Sequence, residues 1–116
     1  MTAMVALLIK YNDDQKANML VTPSDRAKVS AAAVAHFGGR PIATYGTYGE
    51  YDMLFIYEMP DHFSVAANMH LVDGFGVAKY SKIIPLFSAD DFLKTQFAAR
   101  DAKNSYSSVP PSAAEN

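Results

Sequence analysis

Apolar runs and helical stripes alternate along the chain, each bounded by polar or turn-forming residues. Residues 4–11, "MVALLIKY", are a short apolar run ended by "NDD", and their length predicts a strand. Residues 12–22 carry no clear period and read as a long polar connection that could act as a lid or binding loop. Residues 23–37 predict a helix. Thr22 stands as N-cap, Pro23 suits the first helical position, and Ala27, Ala31, Val34 and Ala35 form a narrow stripe of small residues. Gly38 and Gly39 then stop it. Residues 42–48 and 51–59 predict two strands joined by a two-residue "GE" hairpin turn. The second of these strands is apolar at nearly every position and reads as central. Asp61 caps a second predicted helix over 62–72, with Phe63, Ala66, Ala67, His70 and Leu71 on its inward side. Residues 77–87 predict a fourth strand. Ser88 caps a third helix carrying Phe92, Leu93 and Phe97 at helical spacing.

The resulting order is β-α-β-β-α-β plus a terminal helix. This predicts an α+β, ferredoxin-like domain over residues 1–102: a four-stranded antiparallel sheet with helices on one face. Residues 103–116, rich in Ser and Pro, predict a flexible tail. The sheet's second face has no covering layer of its own. A second copy of the same sheet is the simplest cover, giving a homodimeric α/β barrel.

Composition narrows the function classes. The 116 residues suit one domain, half of them hydrophobic, with net charge −2. Lys and Arg are scattered, so no nucleic-acid footprint is expected. Cysteine is absent, which removes disulfides, thiolate metal sites and cysteine nucleophiles. No signal peptide or membrane-length apolar run is visible, and a cytoplasmic protein is the expectation. Neither a G-x-S-x-G elbow nor a phosphate-binding glycine loop occurs.

The stretch "YGTYGEYDMLFIYEMPD" resembles the GYD-domain family, as do "NDDQKANMLVTPSDRAKVSAAAVAHFGGR" and "IIPLFSADDF" more loosely. The resemblance runs from about Val5 to Phe92. His62 and Phe63 depart from the acidic or polar residues expected there. The resemblance implies the dimeric α/β-barrel superfold. Relatives of that fold include cofactor-free quinol monooxygenases, muconolactone isomerases, haem-degrading enzymes and ligand-binding domains, so it leaves the reaction open. Only Gly49, Tyr51 and Asp52 carry over as motif positions, with no assigned role.

The residues themselves supply candidates. His70, on the expected inward side of its helix with Asp73 three residues on, suits a general base held in one tautomer; it equally suits a core histidine. Asp52 is a second candidate base, or a rim carboxylate paired with a nearby cation such as Lys79, Lys82 or Arg40. Tyr51 or Tyr48 is placed to orient a substrate. Tyr45, Tyr48, Phe55, Tyr57, Phe63 and Tyr80 offer an aromatic lining for a flat apolar molecule, or ordinary sheet packing. No metal site is expected: His62 and His70 lie about 12 Å apart along one helix. The expectation is thus a small homodimeric enzyme without an organic cofactor. It would act on an apolar or aromatic metabolite by monooxygenation, isomerisation or dehydration. The alternative is a non-catalytic binding or interaction module.

Overall fold

The structure, a computed structural model, describes residues 2–105. In chain order the elements are β1 (Ala3–Tyr11), α1 (Asp13–Val21), α2 (Arg26–His36), β2 (Arg40–Gly46), β3 (Met53–Met59), α3 (His62–Gly74), β4 (Ala78–Leu86) and α4 (Ala89–Asp101). The four strands form one sheet in the order β2-β3-β1-β4, with every neighbouring pair antiparallel. This is the expected ferredoxin-like arrangement: α2 links the non-adjacent β1 and β2, and α3 links the non-adjacent β3 and β4.

Strand alternation decides where the core lies. Val5, Leu7, Ile9 and Tyr11 of β1 share a face with Phe55, Tyr57 and Met59 of β3, and all seven are buried. Met19 of α1, Val34 of α2, and Val65, Met69 and Val72 of α3 pack on that same face. The other face carries Met4, Leu8, Leu54, Ile56 and Ile84, as the strand register requires.

Two expectations need correction. Residues 12–22 are not an open loop, because Asn12 caps a helix there and accepts from the Gln15 N–H at 2.8 Å. Asp13 and Asp14 in its first turn favour its positive end. The following helix starts three residues later than expected, at Arg26. Its N-cap is Asp25, which accepts from the N–H groups of Ala27 and Lys28.

The end of α2 is fixed by two glycines. Gly38 adopts φ +81°. Its N–H reaches the Ala35 carbonyl, and the Gly39 N–H reaches that of Val34, each at 3.0 Å. This is a Schellman closure. Strand β2 then runs along the sheet edge, with an irregularity between Pro41 and Ala43. The opposite edge strand, β4, contains Pro85.

Phe87 begins a second compact unit. Within it Ser88 caps α4 by accepting from the Asp91 N–H, and the Phe87 and Phe92 rings lie 6.1 Å apart. Phe92, Leu93 and Phe97 are exposed. Lys103–Ser105 form a short 3-10 turn. The rest of the segment expected to be a tail, residues 106–116, lies outside the described residues.

Candidate functional site

The glycine–tyrosine stretch that attracts attention in the sequence is a structural tie. Strands β2 and β3 are joined by residues 47–52, longer than the expected two-residue turn, and the Thr47 N–H closes it on the Asp52 carbonyl at 2.8 Å. Gly49 adopts φ +99°, a left-handed conformation that an L side chain strains to reach. Its carbonyl accepts from Lys10 Nζ at 3.0 Å. The Tyr51 ring packs edge-on against Tyr80 with centroids 5.6 Å apart, and the Tyr80 hydroxyl donates to the Glu50 carbonyl at 2.6 Å.

Asp52 anchors this assembly. Its carboxylate accepts from the Tyr11 backbone N–H at 3.0 Å and pairs with Lys16 at 3.2 Å and Lys10 at 3.4 Å. Partial burial pulls its pKa upward and is the largest single influence. The Tyr11 N–H and the two lysines together outweigh it, leaving the carboxyl below the ordinary range. The acid therefore stays ionised and holds the β2–β3 connection to the end of β1 and the start of α1. Glu58, at the other end of the strand, pairs with Arg40 at 3.0 Å.

A separate feature has the character of a binding site. A cavity of about 340 Å³ lies between the core face of the sheet and the helices. Leu7, Ile9 and Tyr11 of β1 and Phe55 of β3 form its floor. Val29, Ser30 and Ala33 of α2 form one wall, and Asn68, Leu71 and Val72 of α3 the other. Phe75, Val77 and Gln15 complete it. The lining is mostly apolar with a few polar groups, the composition small-molecule sites favour.

Three of those polar groups have defined settings. Arg26, the first residue of α2, stacks over the Tyr11 ring with its guanidinium carbon 5.3 Å from the centroid. Its Nε donates to the Tyr11 hydroxyl and an Nη donates to Ser24 Oγ, both at 3.3 Å. Asn68 is 2% exposed, and its amide nitrogen donates to the Tyr57 hydroxyl at 3.2 Å. The Asn68 carbonyl oxygen is buried without a partner among the described residues. Burial pushes the Tyr57 phenol up despite that bond, so it stays protonated.

Of the candidate catalytic and binding residues read from the sequence, Phe55 alone lines the cavity. Tyr57 lies buried behind it as the partner of Asn68. Tyr45 and Tyr80 are exposed, Tyr48 is 96% exposed, and Phe63 is 82% exposed. His70 and Asp73 are both exposed on α3, so the expectation that His70 faces the sheet is corrected. The helix is apolar around most of its circumference. Two stripes, 63-66-67-70 and 65-68-69-72, compete on hydrophobicity, and the sheet takes the second. Tyr11, Gln15, Arg26, Ser30 and Asn68 are the polar lining residues that sequence reasoning missed. A family model for the GYD domain matches residues 6–95. The chain belongs to that family. No curated protein matches it significantly. In this GYD domain the three motif residues belong to the tie around Asp52, and the cavity is built from other positions. Among the described residues, no group of three His, Asp or Glu side chains is placed to share a metal ion. No helix there is long and apolar enough to cross a membrane.

Proposed function

We propose that this GYD domain binds a small, largely apolar molecule in the helix–sheet cavity. The observation that carries the reading is the cavity itself: about 340 Å³ of apolar space beside the core, with Arg26, Tyr11 and Asn68 on its wall. A fully consolidated core leaves few voids larger than a water molecule. The cavity favours the binding-module reading over proton transfer by His70 and Asp73, whose side chains lie on the exposed side of α3. Ala33 is half-buried on the α2 wall, so an indole placed there would fill the space. In a thermal-shift screen of apolar metabolites, hits should raise the midpoint of the wild-type chain and leave Ala33→Trp unmoved. A screen without hits, or hits that shift both proteins equally, would defeat the reading.

We further propose that two copies pair through the open sheet face. Leu8, Leu54, Ile56 and Ile84 form an apolar surface there. The helices that cover the core lie on the opposite face of the sheet. Ile84 is 36% exposed. Sedimentation velocity should show a dimer for the wild-type chain and a monomer for the Leu54→Glu, Ile84→Glu double variant. A monomeric wild type at tens of micromolar would rule the pairing out.

A further inference from the structure

Resting on the cavity reading, we infer that the occupant is an amphiphile: an apolar body with a carboxylate-type anionic head held by Arg26. Among the described residues, Arg26 is the one charged residue on the cavity wall. None of the ion pairs among the described residues uses it. Its two hydrogen bonds go to neutral hydroxyls, of Tyr11 and Ser24. They fix the guanidinium while leaving further N–H donors uncommitted. The Tyr11 ring beneath it limits its rotation. A guanidinium held in this way presents a planar fork matched to a carboxylate, at the border of a space that repels water. Closing a neutral molecule over it would strip solvent from a cation without compensation. The anionic head removes that penalty.

Two probes and three variants test the assignment by isothermal titration calorimetry. The probes are 3-phenylpropanoate and 3-phenylpropan-1-ol. The wild-type chain should bind the carboxylate at least about tenfold tighter than the matched alcohol, with the preference falling as salt is raised. Arg26→Gln should cost the carboxylate far more than the alcohol and so erase the preference, and Arg26→Lys should restore only part of it. Far-UV circular dichroism of each variant checks that the fold persists. If alcohol and carboxylate bind alike to the wild type and to Arg26→Gln, with Ala33→Trp blocking both, the cavity reading stands and the anionic head is wrong. If no probe binds the wild type, the cavity reading fails and this inference with it.

Discussion

Gly39→Ala should destabilise the domain by about 2–4 kcal/mol, toward the upper end for overpacking a folded interior. Gly39 follows α2 and begins the approach to β2. A Cβ on its backbone would sit 2.5 Å from the Glu58 carbonyl oxygen and 2.5 Å from Met59 Sδ, with Val34 Cγ1 at 3.0 Å. The methionine sulfur can rotate away. The carbonyl cannot, because Glu58 lies in β3 paired with Arg40 on one side and Met4 on the other. Relief requires α2 to lift from the sheet, which also disturbs buried Val34. Gly46→Ala is the matched control: no atom lies within 4 Å of its Cβ position, and its φ is not positive. That variant should stay within about 0.5 kcal/mol of the wild type. In urea titrations Gly39→Ala should lower the midpoint with an unchanged slope. Equal midpoints for the two variants would show that α2 does not close on β3 as described.

Replacing Asp52 should have the next largest effect, and a pH signature distinguishes it. Asp52→Ala removes a charged acceptor from the Tyr11 N–H and leaves Lys10 and Lys16 facing each other. About 1–2 kcal/mol should be lost at neutral pH, allowing for the partial exposure of the carboxylate. Its folded-state pKa lies below the ordinary value, so the unfolded chain binds the proton more readily. The stabilisation is thus fully present above the ordinary aspartate range and disappears as pH falls through the lowered folded value. Wild type and variant should converge in urea midpoint between about pH 5 and pH 2. Asp61, the α3 N-cap, is also lowered, chiefly by the Ser64 N–H. It remains in both proteins, so both lose some stability on acidification and the difference isolates Asp52. A gap between the two proteins that persists unchanged into acid would contradict the role given to the carboxylate.

The sequence makes the strands legible because short apolar runs bounded by turn residues have few other readings. The Asp61 and Ser88 caps are equally visible, and each opens the helix expected of it. Helix α1 is less visible because it contributes only Met19 to the core, while Leu20 and Val21 are exposed. Its signature was the cap: Asn12 with Gln15 three residues on. The rotation of α3 could not be read, because a helix that is apolar on nearly all sides does not state its buried side. The sheet buries Asn68 and leaves His70 exposed, the opposite of the side the sequence favours. The cavity was hidden for another reason. Tyr11, Arg26 and Asn68 come from three elements, and only the sheet order brings them together. The conspicuous aromatic cluster, in contrast, is local, and local clusters of tyrosine and glycine serve turns as readily as ligands.

The two prolines on the outer strands limit how this sheet can grow. Proline has no amide hydrogen to offer an incoming strand, and both Pro41 in β2 and Pro85 in β4 sit on borders where the backbone would otherwise be a template for addition. The disturbed pairing beside Pro41 interrupts that border further. Sideways recruitment of another polypeptide into a continuous ribbon, the route to fibrous deposits, is therefore obstructed at both margins, even though the chain is rich in β-forming residues.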